Sequence, residues 1–192
     1  MSERDPYLHR TVDVLRNRLG ILDVATLDRI ERRLVTERTR QGIPKGKFDL
    51  KHLQAIHRHL FQDVFDWAGQ VRTVEISKDG HQFQFCRFIE TGMADVHRRL
   101  VGANFLRGLD GRRFAQAAGE IIGDVNYVHP FREGNGRSQL QYLKQLGAQA
   151  GHAVRLDKIN PDAWVAASRA AHRADYGPMV AEIAQALGVS ER

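Results

Sequence analysis

The stretch HPFREGNGRSQLQY, residues 129–142, decides how the rest of the chain is read. Its first nine positions hold a histidine, a proline, a phenylalanine, an acid, two glycines, an asparagine and two arginines. Pro130 disfavours helical conformation in the residue before it, so one helix is expected to stop at His129. Another is expected to start around Gly134 and run to Gly151. A loop that delivers Gly134, Asn135 and Gly136 into a helix start creates an anion site. The first turn leaves backbone N–H groups unpaired at the positive end of the helix dipole. Glycines admit a phosphate to those groups without an intervening Cβ, and they allow the positive φ angles of a nest. Asn135 is expected to add a side-chain donor, and Arg137 a guanidinium suited to phosphate oxygens.

Two further groups would be odd if anion binding were all. Glu133 is an anion beside an anion site, which makes sense if Mg²⁺ sits between carboxylate and phosphate. His129 stands near the mouth of the same site, and histidine is the usual general base at neutral pH. Phe131, between polar neighbours, reads as a structural anchor plugging the loop into the core. Base, metal carboxylate, nest and cation together describe transfer of a phosphate-containing group to a hydroxyl. A bare G-x-G would be a weak signal, whereas convergent groups with dependent roles are a specific one.

Outward from this stretch, helical periodicity dominates. Leu27, Ile30, Leu34 and Val35 mark an amphipathic helix from Asp23 to Arg40. Asp49 caps a second, whose inner side carries Leu50, Leu53, Ile56, Leu60 and Phe61. VRTVEIS, 71–77, and HQFQF, 81–85, alternate around the turn signal KDG, which is the signature of a β-hairpin. Helices are expected over Phe88–Leu106, Asp110–Val128, Pro161–Arg173 and Pro178–Leu187. The fold class is all-α, a helical bundle with one small hairpin, in a single domain over residues 1–192.

Composition bounds the remaining choices. The formal charge is +6, carried by 23 arginines and six lysines against 23 acids. The arginines are scattered at helical spacings among acids, as on solvated faces, which argues against nucleic acid as the main partner. No apolar run reaches membrane-spanning length, and MSERDPYLHR has no signal-peptide core. One cysteine, Cys86, cannot form an internal disulfide, and a cytoplasmic location is expected. Cys86 itself reads as an inert small hydrophobe. His52, His57 and His59 do not form a ligand set, since no acid or cysteine completes one. Trp67 and Trp164 read as core anchors, while His97, His152 and His172 have no partner visible in sequence.

HPFREGNGR resembles the Fic signature, H-x-F-x-[D/E]-G-N-G-R-x-x-R. The similarity continues through DPYL, VLRNRLGI and FDLKHLQAIHRHLFQDVFDWAGQVRTVEISK, covers roughly residues 5–187, and is closest to the bacterial toxin-type branch. It implies a Fic-fold bundle and transfer of AMP from ATP to a protein hydroxyl, with Mg²⁺ and release of pyrophosphate. His129 would deprotonate the hydroxyl, and Glu133 would hold Mg²⁺. Gly134, Asn135 and Gly136 would cradle phosphates that Arg137 binds. The hairpin, about residues 73–86, matches the family's flap. Its residues Ile76, Ser77, Lys78, Asp79, Gly80, His81, Gln82 and Phe83 would dock an extended target segment.

Many Fic proteins carry an inhibitory [S/T]-x-x-x-E-[G/N] helix. Here Glu precedes Gly or Asn only at Glu133-Gly134, inside the motif. The resemblance therefore implies a toxin–antitoxin pair, with a separate small antitoxin supplying the inhibitory Glu. The targets it implies are the ATPase subunits of two type II topoisomerases, gyrase and topoisomerase IV. Leu140 departs from the pattern, standing where the second arginine belongs. It lies on the border between the phosphate face and the core stripe of its helix. Three readings follow: an adenylyltransferase with weakened ATP positioning, a Fic transferase using another phosphate-containing donor, or a catalytically silent binding module.

Overall fold

Helix α4, Gly111–Val128, runs through the middle of the bundle and packs against α3 (Ile89–Gly102), α5 (Asn135–Ala150), α6 (Pro161–Ala171) and α7 (Gly177–Leu187). This architecture is seen in a computed structural model, which describes residues 5–78 and 80–189. The small-residue face of α4 explains its central place. A Cβ on Gly119 would come within 2.5 Å of Val180, and one on Gly123 within 2.5 Å of Tyr176, so these glycines let α7 approach closely. Asp110 caps the helix by accepting from the N–H groups of Arg112 and Arg113 at 3.1 and 2.9 Å. At its other end His129 adopts a left-handed conformation, φ 47°, which turns the chain out of the bundle.

Helices α1 (Val24–Arg40) and α2 (Leu50–Phe61) complete the bundle, α2 packing on both α1 and α5. Their caps, Asp23 on Thr26 and Asp49 on His52, are both 2.8 Å long. The core is continuous from Leu27 through Leu53, Ile56, Phe61, Phe114, Ile122 and Leu143 to Ile183. Trp67 and Trp164 are buried in it, as their sequence context implies. Among the described residues no helix is long and apolar enough to cross a membrane.

Two elements differ from expectation. The helix read over 88–106 ends at Gly102, because Asn104, Phe105 and Leu106 all take left-handed φ values and fold Leu106 into the core. The hairpin is also far shorter than its alternating sequence implies. Strands β1 (Ser77–Lys78) and β2 (His81–Gln82) pair antiparallel, Ser77 with Gln82 and Lys78 with His81. Asp79, in the turn, lies outside the described residues. Alternation would put Phe83 and Phe85 on one face, yet Phe83 is buried and Phe85 is 48% exposed. The reason is Arg72. Its buried guanidinium draws the carbonyl groups of Val74 and Gln84 out of any ladder and onto itself.

Candidate active site

The loop from His129 to Gly134 joins α4 to α5, and its carbonyl groups are drawn inward one by one. His129 C=O accepts from Arg72 Nε at 2.8 Å, and Pro130 C=O from the Arg72 N–H at 2.9 Å. Phe131 C=O accepts from Asn135 Nδ2 at 2.7 Å, and Asn135 Oδ1 accepts the Phe131 N–H at 2.9 Å. Glu133 C=O takes the ring N–H of His57 at 2.9 Å. The tautomer follows from geometry: the Gly69 N–H donates to His57 Nδ1 at 2.8 Å, so the proton sits on Nε2. Burial pushes the pKa of His57 down to about 3, so the ring is neutral. It stacks on Phe131, 3.9 Å between centroids, and Phe131 is fully buried as the expected plug.

With these acceptors committed inward, the first-turn N–H groups of α5 face outward. Gly134 needs its glycine, since φ is +80° and a Cβ would meet the Phe61 ring at 2.4 Å. Gly136 opens on free space. The cavity they line, about 570 Å³, is shared with His129, Glu133 and the flap residues Ile76, Ser77, Lys78, His81 and Phe83. Its far wall is α6, through Trp164, Val165 and Ser168, with His172 just past its end, none of which sequence reasoning places at the site.

His129 has one ring nitrogen held by the backbone. Its Nδ1 lies 3.0 Å from Asn126 C=O and so carries the proton, leaving the Nε2 lone pair without a hydrogen bond among the described residues. Burial pushes its pKa down to about 3, with Arg72, His172 and Lys78 adding positive charge nearby. The Phe83 ring lies against it, 3.7 Å away and nearly parallel. The phosphates of a bound nucleotide would oppose that depression by favouring the imidazolium.

Glu133 is about half exposed, and both its contacts fall on Oε1: the Gly134 N–H at 2.8 Å and Arg137 at 3.4 Å. Among the described residues there is no group of three or more His, Cys, Asp or Glu able to hold a metal. One open carboxylate beside a phosphate cradle nevertheless fits Mg²⁺, which takes few protein ligands and keeps waters and phosphate oxygens.

Two expected roles change. The Asn135 side chain is buried and bound at both ends to Phe131, so it braces the loop instead of donating to phosphate. The Arg137 guanidinium does not line the cavity; it stacks over Phe61 at 4.7 Å and pairs with Glu31. Glu31 is buried, which raises its pKa, while Arg137 pulls the other way. A signal for Glu31 is present in the sequence, because it stands four residues from both Leu27 and Val35 on the buried stripe of α1. Leu140 packs half-buried against the core, extending the apolar stripe as its position implies.

The histidines outside the site serve backbone. His52 meets Pro44 C=O, His59 meets Arg38 C=O, His97 meets Phe48 C=O and His152 meets Leu109 C=O. Cys86 Sγ sits 3.0 Å from Val74 C=O, and burial raises its thiol pKa, so it is no nucleophile.

The sequence profile of the Fic/DOC family matches residues 47–146, from just before α2 through most of α5. The chain belongs to the Fic/DOC family. Protein adenylyltransferase VbhT of Bartonella schoenbuchensis is 39% identical over 171 residues, 87% of this chain and 36% of that protein. This chain thus spans about a third of that relative's length. Probable protein adenylyltransferase y4lH of Sinorhizobium fredii is 36% identical, with 93% of this chain and 94% of the relative covered. In structure, the Fic bundle resembles the BepC protein of Bartonella tribocorum, a VirB-translocated effector solved with bound AMPPNP. The TM-score is 0.84 at 26% identity, covering 92% and 93% of the two chains.

Proposed function

We propose that the protein is a protein adenylyltransferase that moves AMP from ATP to a hydroxyl side chain of a target protein. One observation carries this reading: His129, whose Nε2 has no hydrogen bond among the described residues, lines the same cavity as Glu133, Gly134, Asn135 and Gly136. The relatives' names and the AMPPNP bound to BepC support ATP as donor.

The nest binds and orients the phosphate chain. His129 Nε2 accepts the proton of the target hydroxyl as its oxygen forms a bond to the α-phosphorus. The bond from that phosphorus to the β-bridging oxygen breaks, and pyrophosphate leaves with its electron pair. Glu133 is the residue that would hold Mg²⁺, whose charge, when bound, neutralises phosphate oxygens. The flap presents the target as an added strand along the exposed edge of Ser77–Lys78 or His81–Gln82.

In this reading the protein acts in the cytoplasm as the toxin of a toxin–antitoxin pair. A separate antitoxin supplies the inhibitory Glu, and the target is the ATPase subunit of gyrase or of topoisomerase IV. The support is the toxin-type resemblance and the lack of an E-G or E-N pair outside the motif. A second reading, with a donor other than ATP, is favoured by Leu140 together with the commitment of Arg137 to Glu31.

The test is incubation with Mg²⁺, labelled nucleotides and either topoisomerase ATPase subunit, alongside His129→Ala. Label from the α-phosphate of ATP should appear on the target and vanish with His129→Ala. Label transferred only from another donor would replace this reading with the second.

A further inference from the structure

We propose that Arg72 is a positioning residue that fixes the flap at a set distance from His129, an inference that rests on the adenylyl-transfer reading. Its side chain is completely buried. A buried guanidinium is tolerated only where its donors are matched by well-placed acceptors. Here Nε donates to His129 C=O at 2.8 Å, one terminal nitrogen to Val74 C=O at 2.7 Å, and the other to Gln84 C=O. Cys86 Sγ lies 3.1 Å away, and the nearest carboxylate, Glu75, is at 3.5 Å and half exposed. The charge is therefore solvated mainly by carbonyl dipoles.

Those three carbonyl groups belong to three separate segments. Val74 is on the leg entering β1, Gln84 on the leg leaving β2, and His129 is the residue that ends α4. A guanidinium is planar and rigid, so one group sets all three spacings together. Little else can. The β ladder holds only two residue pairs, and a hairpin of that size is marginal by itself. The Arg72 N–H also takes Pro130 C=O, so two consecutive carbonyl groups of the turn at His129 are held by one residue. His129 sits there in a left-handed conformation that a β-carbon disfavours, so the turn depends on such support. Phe83, adjacent to Gln84, is the ring laid against His129.

The nucleotide cradle has its own fastenings, His57 to Glu133 and Asn135 to Phe131. Loss of Arg72 should therefore spare donor binding and harm the transfer step.

The test uses Arg72→Met and Arg72→Lys in the full chain. ATP affinity, titrated with Mg²⁺, should stay within about threefold of wild type, while kcat for target modification falls roughly 100-fold, the scale of a misplaced catalytic group. The lysine variant should recover only part of the rate, because one ammonium cannot span three carbonyl groups. Hydrogen exchange at the Phe83 and Gln84 amides, bonded to Ile76 and Tyr127 carbonyl groups, should accelerate about tenfold in both variants. The proposal is overturned if ATP affinity falls in step with kcat, or if flap-amide exchange is unchanged. It is equally overturned if both variants lose the cooperative fold, which would make Arg72 a core residue alone. Wild type inactive with every nucleotide would sink the adenylyl-transfer reading, and amide exchange would still decide the role of Arg72.

Discussion

Arg137, the last residue of the HPFREGNGR stretch, is ion-paired to Glu31, a residue 106 positions earlier on α1. The same guanidinium reaches Glu133 at 3.4 Å, so two carboxylates share one cation. Net negative charge is thereby left at Glu133, where a divalent ion would sit. Replacing Glu31 by Gln turns Arg137 wholly toward Glu133. Half-saturating Mg²⁺ for transfer should then rise roughly threefold, the scale of a partly exposed ion pair. A Mg²⁺ titration of activity measures this, and an unchanged midpoint would show that Glu31 does not tune the site.

Leu140→Arg restores a cation on the border of the phosphate face. One charge-assisted contact is worth about 1.5–3 kcal/mol, so AMP transfer should rise roughly tenfold to a hundredfold. The measurement is the initial rate with labelled ATP for the two proteins side by side. A wild type inert with every donor and rescued by this change would make the native chain a silent module. A fall in transfer from some other donor would favour the second reading.

Asn135→Ala should destabilise the fold more than a surface change would. It strands the N–H and C=O of Phe131 in the core, at about 3 kcal/mol for the pair. Urea denaturation followed by circular dichroism reports the loss. A midpoint equal to wild type would mean that the loop finds other partners.

The two buried rings give a pH dependence of known sign. Unfolded, His57 and His129 take a proton near pH 6.5; folded, each stays neutral to about pH 3. Between those values the unfolded chain binds more protons, so stability falls as pH drops below about 6.5. Near pH 5 the loss is about 2 kcal/mol per ring. Denaturant midpoints at about pH 7 and pH 5 test this, and His57→Gln should remove about half of the difference.

Much of this is legible in the sequence. Period and caps place α1, α4 and the start of α2 within a residue or so, and His129-Pro130 marks the break that exposes the site. Leu140 is recognisable as a border residue because helical geometry alone decides that. The hairpin is harder to read. Alternation in VRTVEIS and HQFQF reports which side chains turn inward, and says nothing of a guanidinium that takes the carbonyl groups a longer ladder would need. Asn135 and Arg137 mislead for a related reason. Their polar partners, Phe131 backbone and Glu31, are set by how α1 and the loop close on α5; the sequence marks Glu31 as an acid on a buried stripe but does not pair it with Arg137.

The stack of Phe83 on His129 carries one more consequence. The lone pair on Nε2 lies in the plane of the imidazole, while Phe83 covers a face parallel to that plane. Proton acceptance stays open along the edge of the ring, and the ring cannot swivel without striking its neighbour. In the proposed reaction an incoming hydroxyl would therefore have to arrive edge-on, from a side chain whose own backbone fixes its heading. Selection by direction of approach, rather than by the fit of a recognition pocket, is what this aromatic lid imposes on any acceptor.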